Sequence, residues 1–362
     1  KDMRKHLYYL IASMLIITIS LNARTNYNYK KLQRENLGRG VVAIRKDAST
    51  VTISWRYLSS DPMDTEFNVY RNGEKITSQP VSTGTLYNDA YTSQNAATYE
   101  VRPVVKGKET NHKNGRYTLP ANAPTGYIRI PMNKPANGVT PAGDTYTYSP
   151  NDASIGDIDG DGEYEIIVKW DPTNSRDNSF YGYTGNVYLD CYKLDGTFMW
   201  RIDLGKNIRA GAHYTQFMVY DLDGDGKAEI ACKTAPGTID GQGKFVIMGS
   251  DDPNADYRSS GSKAGIVVDG PEYLTVFNGQ TGAEISTIAY SPLRGNINDW
   301  GDGYGNRSER YLACVAHLDG VKPSLVMCRG YYTRAVLAAF DWDGKNLKQH
   351  WVFDSNNPGC GD

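Results

Sequence analysis

Two stretches of the chain crowd carboxylates onto a tight turn. The first reads Gly156-Asp157-Ile158-Asp159-Gly160-Asp161-Gly162-Glu163-Tyr164-Glu165, the second Tyr220-Asp221-Leu222-Asp223-Gly224-Asp225-Gly226-Lys227-Ala228-Glu229. Both follow the pattern D-x-D-G-D-G-x-x-E. Aspartates at alternate positions of a glycine-rich turn aim their oxygens at one point. A main-chain carbonyl adds another oxygen and the final glutamate closes the shell. Hard oxygen donors in that number select calcium. The expected ligands are Asp157, Asp159, Asp161 and Glu165 with the carbonyl of Glu163, and Asp221, Asp223, Asp225 and Glu229 with the carbonyl of Lys227. The glutamate comes three residues earlier than in an EF-hand, and an extended apolar run follows it. Four carboxylates leave little room for a substrate, so the expected role is structural. A degraded third copy, His317-Leu318-Asp319-Gly320, keeps one aspartate, and no metal is expected there.

The elements that must hold these turns are strands. Each turn leads into an apolar run, Ile166-Ile167-Val168 or Ile230-Ala231-Cys232, and the third copy into Leu325-Val326-Met327. Hairpin signals follow each copy: Leu194-Asp195-Gly196-Thr197, Asn278-Gly279-Gln280-Thr281-Gly282 and Trp342-Asp343-Gly344-Lys345. Each repeat therefore holds about four short strands, the content of a propeller blade. No amphipathic helix is evident. Residues 127–362 read as an incomplete β-propeller: at this spacing they make at most about four blades, and the expectation is a piece of a longer protein. Upstream, residues 37–123 carry about seven strand-like runs, among them Val51 to Tyr57, Phe67 to Tyr70 and Thr98 to Val104. An early tryptophan strand, then Phe67-Asn68-Val69-Tyr70-Arg71-Asn72-Gly73, then a tyrosine strand resembles a fibronectin-type-III-like β-sandwich. The fold class is all-β.

Composition narrows the function. The 362 residues carry a net charge of -2, which argues against a partner held by many phosphate contacts, so no nucleic acid is expected. Residues 1–23 have a basic start, an apolar run from Leu7 to Leu21 and a small Ala23, the layout of a secretory signal peptide. The run falls short of the ~20 residues a membrane anchor needs. A secreted or periplasmic protein with no stable membrane span after cleavage is expected. The five cysteines, Cys191, Cys232, Cys314, Cys328 and Cys360, lie in or near strand-like runs and read as buried free thiols rather than a disulfide framework.

The segments around the turns narrow it further. Asn151-Asp152-Ala153-Ser154 precedes the first turn and Lys169-Trp170-Asp171-Pro172 follows its strand. Then come Tyr183 to Asp190, Arg209-Ala210-Gly211-Ala212-His213-Tyr214-Thr215, and Arg329-Gly330-Tyr331-Tyr332-Thr333-Arg334. Aromatic faces stack on sugar rings and arginines pair with carboxylates. In this order the segments resemble the rhamnogalacturonan lyases of polysaccharide lyase family 11, over residues 37–362. The resemblance implies a fibronectin-like module, an eight-bladed propeller with many calcium ions, and a longer chain.

It also implies a substrate, rhamnogalacturonan I of pectin, and a reaction, β-elimination. A base removes the proton at galacturonate C5 while a cation neutralises the adjacent carboxylate, and the sugar oxygen leaves C4. The resemblance puts that base and its partner beyond Asp362, so no catalytic residue is assigned. By local motif, Asn151 and Asp171 match positions that line the cleft or hold its calcium; either could equally be a turn-forming residue. Arg209, His213, Tyr214, Tyr332 and Arg334 are further rim candidates. Lys169 and Lys233 occupy equivalent repeat positions and are expected to be structural. A monomer is expected. The other reading is a non-catalytic, calcium-stabilised propeller that binds glycan or protein.

Overall fold

A computed structural model describes residues 32–359. The leader expected at 1–23 and Cys360 lie outside the described residues. Among the described residues the fold is all-β, with two short 3-10 turns and no α-helix. No helix there is long and apolar enough to cross a membrane.

The N-terminal strands are β1 (Val42–Arg45), β2 (Thr50–Ser54), β3 (Glu66–Arg71), β4 (Glu74–Lys75), β5 (Leu86–Ala90), β6 (Ala97–Val105), β7 (Lys108–Glu109) and β8 (Gly115–Leu119). One sheet runs β1-β2-β5, the other β4-β3-β6-β7 with β8 also paired to β6. Alternation decides which side chains enter: Val51 and Ile53 of β2 and Ala97, Tyr99 and Val101 of β6 are buried, and their sequence neighbours are not. Trp55 meets Phe67 edge-on at 5.4 Å between the sheets. Two minor strands, β9 (Gly138–Val139) and β10 (Thr145–Tyr146), pair with each other.

The rest is three antiparallel four-stranded sheets in succession. They are β11 (Tyr148–Gly156), β12 (Glu165–Pro172), β13 (Tyr188–Tyr192) and β14 (Phe198–Asp203); β15 (Phe217–Tyr220), β16 (Glu229–Thr234), β17 (Tyr273–Phe277) and β18 (Glu284–Ala289); β19 (Tyr311–Ala316), β20 (Ser324–Arg329), β21 (Val336–Trp342) and β22 (Leu347–Asp354). Strand order follows chain order in each. The long loops account for three sheets where the repeat spacing suggested up to four.

The sheets stack face to face through two cores. Ile167, Leu189, Cys191 and Trp200 of the first sheet meet Ile230, Cys232 and Phe277 of the second. The opposite face of the second sheet, with Ala231, Leu274 and Val276, meets Leu325, Met327, Ala338 and Phe340 of the third. Strands β16 and β17 are thus buried on both faces, which explains why they read as continuous apolar runs. Among the described residues no further sheet packs on the outer face of the third sheet, and this corrects the cysteine expectation. Cys191 and Cys232 are buried free thiols, but Cys314 is exposed and Cys328 half-buried, beside an exposed Leu312.

Register separates the two ends of the stack. Gly156 pairs with Glu165 at one end of the first sheet and Tyr148 with Pro172 at the other. The Asp-Gly turns and tight hairpins share the first end. The long connections 173–187, 204–216, 235–272 and 290–310 share the second.

A strap before β1 crosses the turn end. The Gln33 amide donates to the Val321 carbonyl at 2.7 Å and its side chain donates to the Leu222 carbonyl at 3.3 Å. His317, which stands where the other copies have a metal aspartate, donates from Nε2 to the Gln33 carbonyl at 2.8 Å. Gly38 lies on Gly162, so close that a Cβ at 38 would sit 2.1 Å from the Gly162 oxygen. Arg56 then donates to the Gly38 carbonyl and stacks over Tyr164 at 4.0 Å. Arg39 enters the sandwich and pairs bidentately with Asp61, both side chains fully buried. The strap ties the sandwich to all three turns. Gly38→Ala should therefore cost about 1–3 kcal/mol in urea unfolding through overpacking. Gly84→Ala, where a Cβ meets nothing within 4 Å, should stay within about 0.5 kcal/mol of the parent.

Candidate functional site

The two acidic turns share one wiring. Asp157 accepts from the amides of Gly160 at 2.8 Å and Gly162 at 2.9 Å, and Glu165 from the amide of Ile158 at 3.1 Å. Asp221 accepts from Gly224 at 2.7 Å and Gly226 at 3.0 Å, and Glu229 from Leu222 at 2.9 Å. Asp159 and Asp161 accept from the amides two residues on, as do Asp223 and Asp225; Glu163 and Lys227 supply the last of these amides. Gly160, Gly162, Gly224 and Gly226 all have φ between 81° and 93°, a region closed to most side chains, so the turn requires glycine at both positions.

Carboxylate oxygens of Asp157, Asp159 and Glu165 lie within 4.8 Å of one another, as do those of Asp221, Asp223 and Asp225. Burial and the neighbouring acids together push Glu165 up to about 7 and Glu229 up to about 8, although each accepts an amide hydrogen bond. Oxygen donors gathered against their own repulsion fit a hard cation. In the third copy Asp319 accepts from the amides of Val321 and Lys322 and the turn is an ordinary Asx turn.

The cleft candidates all lie at the opposite, long-loop end. A bulge in β11 sets Asn151 and Asp152 together opposite Lys169, because the register skips between Pro150 and Ala153. Asn151 is exposed. Asp171, paired with Ser149, is 8% exposed, and its Oδ1 is buried with no hydrogen-bond partner. Burial pushes its carboxyl up, the Lys169 charge opposes this, and Asp152 adds to it. The buried Lys169 ammonium lies 2.5 Å from Asp152 Oδ2. An orphaned buried oxygen beside an exposed amide can receive a cation or a sugar hydroxyl.

The other candidates divide. Arg209 is buried and spends its guanidinium on loop carbonyls, including Gly182 at 2.8 Å and Phe180 at 2.7 Å. Tyr214 is buried and accepts from the Asn178 amide at 2.6 Å. Arg334 is held by Asp354. These three brace the loops. His213 is half-buried, and burial and the Arg310 charge push its pKa down. Tyr332 is 87% exposed at φ 60°, stacked on Tyr331 at 4.3 Å, while Arg310 lies over Tyr331 at 3.8 Å. Arg307 and Arg310 were not singled out from sequence, because their loop carries no motif.

Sequence reasoning also missed a buried ionic cluster beneath these loops. Glu272 receives Lys233 at 2.9 Å, Arg294 at 2.8 Å and Arg329 at 2.6 Å; Glu309 receives Arg294 at 2.8 Å. The Tyr311 hydroxyl donates to Glu309 at 2.6 Å. Lys233 is structural, as its repeat position suggested; its partners come from distant segments and left no local trace.

The family model described as rhamnogalacturonan lyase family 11, C-terminal domain, matches residues 127–362. The chain belongs to this family. A second model, described as the rhamnogalacturonan I lyases beta-sheet domain, matches residues 32–117. The chain is 54% identical over 330 residues to the rhamnogalacturonan exolyase YesX of Bacillus subtilis strain 168, covering 91% of this chain and 52% of that protein. It is equally identical, over 329 residues, to the endolyase YesW of the same organism, covering 90% and 50%. The solved Bacillus licheniformis rhamnogalacturonan lyase PL11 superposes with a TM-score of 0.83 at 55% identity, over 91% of this chain and 54% of that one. The chain thus spans about half the length of the curated relatives it matches.

The ionic cluster gives this subsection its test. Burial raises Glu272, but the Arg329, Lys233 and Arg294 charges outweigh it and hold the carboxyl well below its usual range. The stabilisation is therefore present above the ordinary carboxylate range and lost only as pH falls below it. Arg329→Met removes one cation from a fully buried network. It should cost about 3–5 kcal/mol in urea unfolding at neutral pH and move the acid-unfolding midpoint to higher pH.

Proposed function

We propose that the protein is a secreted rhamnogalacturonan lyase that cleaves the rhamnose–galacturonate backbone of rhamnogalacturonan I by β-elimination, leaving an unsaturated galacturonate. Membership of the family, with 54% identity to two rhamnogalacturonan lyases over nine-tenths of the chain, carries this reading. In its finer form, residues 37–123 are a fibronectin-type-III-like sandwich and residues 127–362 are blades of a calcium-binding β-propeller; the β1-β2-β5 and β4-β3-β6 pairing and the stacked four-stranded sheets support it. Residues 1–23 serve as the export signal, and the protein acts as a monomer.

The chain's own contribution to the reaction is positioning. Asn151 and Asp171 face the sugar at the long-loop end, with the buried Oδ1 of Asp171 bonded to no other protein group. Tyr332 offers an exposed ring for stacking, with Arg310 and Arg307 near enough to meet a uronate carboxylate. Arg209, Tyr214 and Arg334 hold the loops that carry them. A cation in the cleft would neutralise the galacturonate carboxylate and so acidify C5. Calcium at the two acidic turns is structural, at the end of the sheets away from this chemistry.

The protein should release product with unsaturated-uronate absorbance from rhamnogalacturonan I. Absorbance from another uronate polymer, with none from rhamnogalacturonan, would overturn the substrate. Asp171→Asn should lower kcat/KM by at least about tenfold, the scale of one lost charge-assisted contact, without lowering the Tm. Chelation should lower the Tm, and added calcium should restore it.

A further inference from the structure

Strand β12 is braced where it carries Lys169, Trp170 and Asp171. On one face the Trp170 Nε1 donates to Asp190 at 2.9 Å, and Asp190 also receives Arg201 at 2.6 Å and the Tyr192 hydroxyl at 2.7 Å. Lys169 and Asp171, two residues apart, lie on the other face. Strand β11 has no such brace. It is the edge strand of its sheet, and its bulge leaves Asn151 and Asp152 outside the ladder. Two side-chain contacts hold the bulge instead. The Lys169 ammonium donates to Asp152 Oδ2 at 2.5 Å, and the Asp152 amide donates to Asn151 Oδ1 at 2.8 Å.

As a stabilising device this ion pair is poor. The Lys169 side chain is 1% exposed and has lost its water, whereas that of Asp152 is 63% exposed. Desolvating an ammonium for a carboxylate that solvent screens returns little. As a clamp the pair is effective, because a buried, immobile lysine tail fixes where an exposed carboxylate must sit. We propose that Lys169 is a positioning residue of the cleft: through Asp152 it pins the bulge, and so sets where Asn151 stands relative to Asp171. The proposal rests on the reading of Asn151 and Asp171 as cleft residues. Lys169 itself, buried behind the bulge, offers no surface to a substrate. Its repeat position suggests structure alone, and the bulge gives it the second role.

Lys169→Met tests this. Its Tm should match or exceed the parent's, because a buried charge is gone and the carboxylate left behind is in water. Amide exchange at residues 151–153, which needs no substrate, should quicken about tenfold as the bulge loosens. On rhamnogalacturonan I, kcat/KM should fall at least about tenfold through misplacement of Asn151. Asn151→Ala should cause a similar fall, and the double variant should lose no more than Asn151→Ala alone, because Lys169 acts through Asn151. Asp152→Asn strands the buried ammonium and should lower the Tm, and adding Lys169→Met should restore it. If Lys169→Met lowers the Tm while exchange at the bulge and kcat/KM keep the parent's values, Lys169 is structural and the proposal fails with the cleft reading intact. It fails too if the losses from Lys169→Met and Asn151→Ala multiply. If Asn151→Ala leaves kcat/KM unchanged, the cleft reading fails and takes the proposal with it.

Discussion

Like charges gathered on a backbone turn constrain everything around them. In each of the first two sheets a pair of left-handed glycines folds the chain so that carboxylates converge, and main-chain amides hold them there. The turn fixes which residues begin the second strand, and so sets the pairing of Gly156 with Glu165 and of Tyr220 with Glu229. From that register follow the faces that strands present to the neighbouring sheet. The Ala228 amide donates to the Asp157 carbonyl at 2.7 Å, so the first two turns are also joined to each other.

The fold divides its work between two ends. Short turns, the strap and the sandwich occupy one, where backbone contacts are so close that Gly38 and Gly162 cannot carry side chains toward each other. Long loops occupy the other, and there buried charge replaces close backbone packing. Glu272 and Glu309 collect three cations from three segments, and Arg329 is ringed by Tyr290, Tyr311 and Trp300. Removing one partner of such a network costs about 3–5 kcal/mol, because it leaves a buried charge uncompensated. It gives irregular loops a fixed base on which Tyr332 can remain exposed in a strained conformation.

Much of this was legible in the residues. The acidic turns, the hairpins after Leu194, Asn278 and Trp342, and the strands around Val51, Phe67 and Tyr99 all lie where local pattern put them. Chemistry was less legible than structure. Arg209, Tyr214 and Arg334 have the residue types of a sugar-binding rim, yet they bond loop carbonyls, a loop amide and Asp354. Residue type shows what a side chain can do; only its neighbours show whether that capacity is already used. Asp171 illustrates the reverse. An Asp-Pro pair at a strand end looks like a turn former, but its buried, unpartnered oxygen sets it apart.

The sequence by itself determined the elements whose causes are local: glycine in left-handed turns, alternating carboxylates, and apolar runs of strand length. Those depend on dihedral preferences and on neighbours a few residues away. Only the tertiary structure decided that Lys193 enters an acidic turn made 28 to 34 residues earlier, that Glu272 and Glu309 share three cations, and that the strap reaches three turns at once. Those contacts join segments distant in the chain, and long-range electrostatics and close packing leave no periodic mark on either segment alone.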